Sequence, residues 1–393
     1  MKRIYLDNAA STPTDPRVLI EMMPYFQNKY GNASSIHFFG QEAQSAIDDA
    51  RRKTADFLNC DRKEIFFTGS ATESNNLAII GAIRKFKKEK HTGKPHIIIS
   101  QIEHESVLES VRYLTEIGEI ESTLLSVSDD GIILLDELEI NFKDETILIS
   151  IMHANNEIGA IQPIREISQI IRKFNKEKGK NILFHTDAVQ SVNFLDCDVA
   201  DLGIDMLTIS GHKIYGPKGV GVLFVKSGTN IEPLILGSKQ ELGMRSGTEN
   251  IPSIVGIGVA LDIVKEERKN VDKISKLRDE LMDGILTNIN NSKINGTLKK
   301  RLPNNINVSI SGINKDDIII ALDLKGVAIS GGSACYSKTS NISHVLDAIG
   351  LSQDENESSI RITLGRHITQ KDIKKVIEIL KEAVISLKNK ISK

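Results

Sequence analysis

Short apolar runs alternate with helical patterns along most of this sequence up to about residue 250, and few folds accept that order. The run 65–68 precedes a helical pattern from 72 to about 88, and 97–100 precedes one from about 105 to 116. The run 146–152 precedes 163–177, where Ile164, Ile167, Ile170, Ile171 and Phe174 recur at the 3.6-residue period of a helix. Runs at 182–185 and 206–209 complete the series. Alternation of this kind predicts an α/β fold, with a mostly parallel sheet covered by helices on both faces. Ligands of such folds collect at the carboxyl ends of the strands.

The pattern changes after residue 251. A long helical region reaches about residue 290, and the polar patch Asn290-Asn291-Ser292 leads to a strand at 305–310. Residues 316–322 read as a helix and 358–364 as a half-buried strand. The last helix carries Ile373, Val376, Ile377, Leu380, Val384 and Leu387 at helical spacing, with lysines between them and Thr369 and Asp372 as its cap. This mixture predicts a smaller C-terminal α+β domain. We expect residues 14–255 to form the large domain, and 1–13 with 256–393 the small one. With 393 residues, 40% of them hydrophobic, the chain can bury a large core. Its formal net charge of −2 gives no electrostatic case for nucleic acid or membrane as a partner. The apolar runs are shorter than a bilayer span, and the start Met1-Lys2-Arg3-Ile4 lacks an apolar signal segment. Cys60, Cys197 and Cys335 are too few for a disulfide framework, so a reducing cytoplasm is the expected compartment. Cys60 reads as a small buried hydrophobe and Cys197, between two aspartates, as a turn residue.

The strand ends carry the chemistry. Between the runs 206–209 and 220–225 lies Ser210-Gly211-His212-Lys213-Ile214-Tyr215-Gly216-Pro217-Lys218-Gly219, a tight turn holding a lysine beside apolar strands. Such a lysine is either a turn residue with its head group in water or a partly desolvated amine able to condense with a carbonyl. Asp187 follows the run 182–185, with Gln190 one turn on, and is either a helix cap or a placed carboxylate. His104 in Glu103-His104-Glu105 is a loop histidine or an aromatic platform. Ser70-Ala71-Thr72 leads into a helix, as a phosphate nest does. His153-Ala154-Asn155-Asn156-Glu157 adds a polar cluster after 146–152. Pyridoxal 5'-phosphate asks for these groups jointly: a lysine (Lys213), an acidic partner for the ring nitrogen (Asp187), a phosphate cup (Ser70-Ala71-Thr72) and a stacking face (His104).

These motifs resemble those of the class V aminotransferase family, and within it the cysteine desulfurases of the NifS/IscS type. The likeness runs nearly end to end: YLDNAAST at Tyr5, FFTGSATESNN at Phe66, EHESVL at Glu103, HANNEIGAIQPI at His153, HTDAVQS at His185, SGHKIYGPKGVG at Ser210, GMRSGTEN at Gly243 and GGSACYS at Gly331. The resemblance implies an aspartate aminotransferase-like fold with a seven-stranded sheet, and pyridoxal phosphate bonded to Lys213. It implies that Asp187 partners the ring nitrogen and that His104 stacks on the ring and handles protons. Asn155 and Gln190 would touch the ring oxygen, with Asn155 also near substrate, while Ala71, Thr72, Ser210 and His212 would form the phosphate cup. Thr248 matches a phosphate ligand that family members donate from the partner subunit, which implies a homodimer with shared sites.

Cys335 decides between reactions. Its surroundings, residues 330–342, are small and polar, the composition of a mobile loop rather than of a core. A nucleophile that collects sulfur in a cleft and delivers it outside needs such a tether. Arg361 sits on the alternating strand, where a guanidinium fork can clamp a carboxylate, and the resemblance places the substrate-carboxylate arginine there. The expected reaction converts L-cysteine to alanine, leaves the sulfur on Cys335 as a persulfide, and passes it to an acceptor such as an iron–sulfur scaffold protein. No resident metal is expected, although Cys335 would touch a cluster on that partner. The rivals are a selenocysteine lyase or another class V enzyme that does not use Cys335, and a non-catalytic scaffold of the same fold. Two positions depart from the family pattern: Tyr336, where a small threonine is common, and Gly237-Ser238-Lys239, where glycine is commoner.

Overall fold

The computed structural model describes residues 3–89, 93–332 and 342–391. Among them twelve strands form: β1 (Ile4–Tyr5), β2 (Ile65–Thr68), β3 (His96–Ser100), β4 (Glu121–Leu125), β5 (Thr146–Ser150), β6 (Leu183–Asp187), β7 (Met206–Ser210), β8 (Gly221–Val225), β9 (Ser292–Ile294), β10 (Asn305–Ile310), β11 (Val327–Ala328) and β12 (Ser359–Thr363). Seven of them make one sheet in the order β2-β8-β7-β6-β5-β3-β4. Strands β3 to β7 run parallel, and only β8 opposes its neighbours β7 and β2. This is the mostly parallel sheet of an α/β fold.

The side chains show why the apolar runs are continuous. Ile98, Ile149, Phe184, Leu207 and Val222 pack into one cluster with the helices Phe38–Leu58, Ile164–Lys178 and Ile251–Glu267. Ile97, Ile99, Leu148, Met206 and Leu223 face the other way, against the helices Ala71–Lys88 and Glu105–Glu116. Both faces of the sheet are covered, so its strands read as nearly continuous apolar runs, and the polar residues they carry, such as His185, are hydrogen-bonded inside.

A second cluster joins Ile4 and Leu6 to the helix Val271–Asn288, strands β10 and β12, and the helix Gln370–Ile391. The last helix is capped as expected, with Asp372 Oδ2 accepting from Thr369 N and Thr369 Oγ1 accepting from Asp372 N. The expected long helix after residue 251 is two helices, interrupted at Arg268–Asn270. The first of them, Ile251–Glu267, packs in the large cluster, and the division expected at residue 255 falls inside it. Strand β12 is buried along its whole length rather than half-buried, and its polar side chains meet other groups: Ser359 Oγ meets Ser309 Oγ, and Arg361 Nη2 donates to Asp7. Cys197 is a core residue and not a turn residue: it is fully buried, and burial pushes its thiol up to about 11. Cys60 packs partly buried against the same core, its thiol pushed up to about 12, chiefly by burial. No helix of the described residues is long and apolar enough to cross a membrane.

Candidate active site

A cavity of about 470 Å³ opens at the carboxyl ends of the sheet strands, where loops following β2, β3, β5, β6 and β7 converge. Its lining includes Ala71, Thr72, His104, Asp187, Gln190, Ser210, His212, Lys213 and Arg361. Nine residues singled out from separate stretches of sequence therefore meet around one space.

Adjacent strands set the central pair. Asp187 ends β6 and pairs in register with Thr208 of β7, while Lys213 lies on the 3-10 turn Gly211–Lys213 just past β7. The Lys213 amine donates to the carbonyls of Ala9 (2.5 Å) and Ala10 (2.8 Å), so the N-terminal segment holds it within the cavity. Gln190 Nε2 donates to the same Ala9 carbonyl at 3.0 Å. Asp187 is nearly buried, and both its oxygens accept: Oδ1 from Val189 N (2.9 Å) and Oδ2 from Asn75 Nδ2 (2.8 Å).

His104 caps the helix Glu105–Glu116, and its Nδ1 accepts from Ser106 N at 3.1 Å. That places the hydrogen of the neutral ring on Nε2. Burial, the largest influence, lowers the affinity of His104 for a second proton, and Lys213 acts in the same sense while Asp187 opposes it. His212 is held near 4 by burial and by the charges of Lys213 and Lys218, so it also is neutral near pH 7. It lies 3.2 Å from Ser11 Oγ through Nδ1.

One wall suits an anion. The helix Ala71–Lys88 starts at the cavity, capped by Ser70 Oγ accepting from Glu73 N, and helix N-termini favour negative charge. Glu73 is committed elsewhere, accepting from Gly69 N and pairing with Arg245 at 2.9 Å, so its charge is answered locally. Gly221 permits the close approach of β8 to this turn: a Cβ there would lie 2.5 Å from the Ser70 carbonyl carbon.

Arg361 occupies a different part of the lining and is only 2% exposed. Burying a guanidinium is costly unless its donors are met. Nη2 donates to Asp7 Oδ1 (2.8 Å), and Nη1 to the carbonyls of Gly332 (2.9 Å) and Asn156 (3.1 Å). Nε is buried with no partner among the described residues.

An aminotransferase class-V family model matches residues 4–376. The chain belongs to that family. Within it, a relative from Archaeoglobus fulgidus named cysteine desulfurase IscS 1 is 44% identical over 387 residues, 98% of each chain. A solved structure described as a NifS-like protein matches with a TM-score of 0.90 at 37% identity, covering 98% of this chain and 100% of that one. Another, described as SspA in complex with cysteine, matches with a TM-score of 0.79 at 38% identity, covering 92% and 98%. These likenesses place the class V chain in the NifS/IscS branch.

Two expected site residues, Thr248 and Asn155, stand apart from the cavity. Cys335 lies outside the described residues, as does Tyr336. Thr248 is exposed and not part of the lining. Asn155 is fully buried and directed away: its amide donates to Ile102 O (2.9 Å), and its Oδ1 accepts from Glu157 N and Ile158 N. Asn156 lines the cavity in its place. The sequence reading gave no role to Asp7, Asn75 or Ser106, all of which touch site residues. A signal for Asn75 existed: it is a polar residue within the apolar stripe Leu77, Ala78, Ile79, Ala82 of its helix.

Proposed function

We propose that this protein is a pyridoxal phosphate-dependent cysteine desulfurase, which moves sulfur from L-cysteine to Cys335 and releases alanine. The observation that carries the proposal is the convergence of Lys213, Asp187, His104 and Arg361 on one cavity beside a helix N-terminus. The residues fit the cofactor. Ala71, Thr72, Ser210 and His212 would receive its phosphate, Asp187 its ring nitrogen, Lys213 its aldehyde carbon, and His104 would lie against its ring. The close approach made possible by Gly221 keeps the phosphate wall in place. Bound there, pyridoxal phosphate supplies an electron sink for the α-carbon of an amino acid.

The chain's own groups supply the rest. Arg361, which lines the cavity, would take the cysteine carboxylate through its guanidinium fork. Its Nη1 contacts to two carbonyls and the Asp7 pair hold the fork rigid, so ordering it costs little when substrate arrives. The Lys213 amine, steadied by two carbonyls, would take the α-proton. His104 keeps Nε2–H available as a donor because Nδ1 is already an acceptor. The Cys335 thiolate would attack the substrate sulfur, forming an S–S bond as the Cβ–S bond breaks. The electron pair goes to the carbon side, which takes up protons to become alanine. An acceptor thiol, such as one on an iron–sulfur scaffold protein, then relieves Cys335 of its outer sulfur.

Mass spectrometry of the Cys335 peptide after incubation with L-cysteine should show one added sulfur atom. In Cys335→Ser, alanine formation should fall at least about 100-fold, as for loss of a covalent nucleophile. Alanine formed at the parental rate by that variant would refute the mechanism.

We further propose a homodimer with shared sites. Large apolar side chains are exposed along one segment, including Ile20 (67%), Phe26 (58%), Ile36 (93%) and Phe38 (72%), and again at Leu236 and Leu242. A monomer rarely leaves so many uncovered. Thr248, exposed and close in sequence to Leu242, would serve a neighbouring subunit's phosphate cup.

A further inference from the structure

We propose that Asn75 is a positioning residue that sets Asp187 and His104 in one working geometry through a single side-chain amide. The proposal rests on reading the cavity as a pyridoxal phosphate site. Asn75 lies one turn into the helix Ala71–Lys88 and is fully buried. Its Nδ2 donates to Asp187 Oδ2 at 2.8 Å and to Ser106 Oγ at 2.8 Å, which uses both of its hydrogens.

The orientation of that amide follows from its neighbours. An ionised carboxylate only accepts, so the nitrogen must face Asp187. Oδ1 is then left buried with no partner among the described residues. Native interiors rarely leave a buried acceptor unmet, and an amide kept only for packing would be turned or replaced. Here two donor contacts to site residues outweigh one unsatisfied oxygen.

The second contact reaches His104. Since Ser106 Oγ accepts from Asn75, its own hydrogen is available to His104 Nδ1, 2.9 Å away. Ser106 N donates to the same ring nitrogen. Asn75 therefore fixes one oxygen of the ring-nitrogen partner and, through Ser106 Oγ, aims a second donor at the His104 nitrogen that Ser106 N already holds as an acceptor. Val189 N holds the other Asp187 oxygen. No other side chain among the described residues links the two groups in this way.

The test compares the parent chain with Asn75→Ala and Ser106→Ala, each reconstituted with pyridoxal phosphate. In Asn75→Ala the Kd for the cofactor should rise about tenfold, as for one lost hydrogen bond to a charged group. The pH midpoint of its visible absorption band should move upward by about half a unit or more, because a carboxylate without that donor holds its own proton better. The kcat for alanine formation should fall at least about tenfold while KM for cysteine stays within about twofold, since Arg361 is untouched. Parental Kd and parental midpoint together would overturn the proposal. Should Asn75→Ala fail to fold, Ser106→Ala decides: it keeps the Asn75–Asp187 bond and so should keep the cofactor Kd while losing kcat. An unchanged kcat there would sink the link to His104. A parent chain that develops no visible band would overturn the cofactor reading itself, a result distinct from any difference among variants.

Discussion

Glu103, next to His104, shows what full burial does to a carboxyl group near charge. Its Oε1 accepts from Ser100 Oγ (2.6 Å) and Met152 N (2.9 Å), yet desolvation dominates and, with the Asp187 charge, pushes it up to about 8. The folded chain thus holds a proton that the unfolded chain releases near 4.5. Between those values the folded state binds more protons, so this group's contribution to stability falls as pH rises through that window and levels off above it. Glu103→Gln should flatten that slope, and urea unfolding at pH 5, 6.5 and 8 checks it. A parent and variant whose stabilities change in parallel across the three would refute the assignment. Arg361 offers a second residue-scale prediction. Arg361→Lys keeps a positive charge near Asp7 but loses the fork, so KM for cysteine should rise about ten- to a hundredfold in steady-state kinetics. Lys213, Asp187 and His104 could be read from the sequence because each sits just past an apolar run, where the fold concentrates function. Asn75 left only the trace of a polar residue in an apolar stripe, and Asp7 left none: their contacts run to residues 31, 112 and 354 positions away, which spacing does not record. Asn155 and Asn156 are adjacent in the sequence, and only the local turn decides which one faces the cavity.

Elements were legible where apolar residues were large. The sheet's core strands and the helix Ile164–Lys178 announced themselves through isoleucine, leucine and valine. Strand β4 did not, since Glu121, Ser122 and Thr123 leave an edge strand without clear alternation. No element was assigned before residue 65, although the helix Phe38–Leu58 is among the longest described. Its buried stripe relies on Gly40, Ala43, Ala50 and Ala55, and small residues give a weak periodic signal. The structure explains the choice: Gly258 of the helix Ile251–Glu267 lies so near that a Cβ would sit 2.9 Å from Ala50 Cα. Backbones that close cannot be separated by leucines. Gly221 makes the same point at the site. Gly221→Ala would force β8 away from the Ser70 turn and should destabilise the chain by about 1–3 kcal/mol. Because that turn is also the proposed phosphate wall, thermal melts should show a smaller stabilisation by pyridoxal phosphate in the variant than in the parent. An equal ligand-induced shift would mean the wall tolerates the displacement.

At the scale of the molecule, a shared site can be detected by complementation. A Lys213→Ala chain and a Thr248→Ala chain, each impaired alone, should regain activity when co-expressed. Random pairing makes half the dimers mixed, each with one of two sites intact, so about a quarter of full activity should return. Activity no higher than the average of the two separate variants would show that each subunit builds its own site. The N-terminal segment has a consequence for how the chain is made. Ala9 and Ala10 hold Lys213, and Asp7 holds Arg361, which lies 354 positions further along. The Leu6 carbonyl also accepts from Thr363 N, at the end of β12. Residues 6 and 7 therefore lack these partners until residues 361–363 have been translated. The sheet can form during synthesis, whereas the cavity cannot close until residue 361 has emerged, so a polypeptide stalled short of it would carry Lys213 without the arginine proposed to receive substrate.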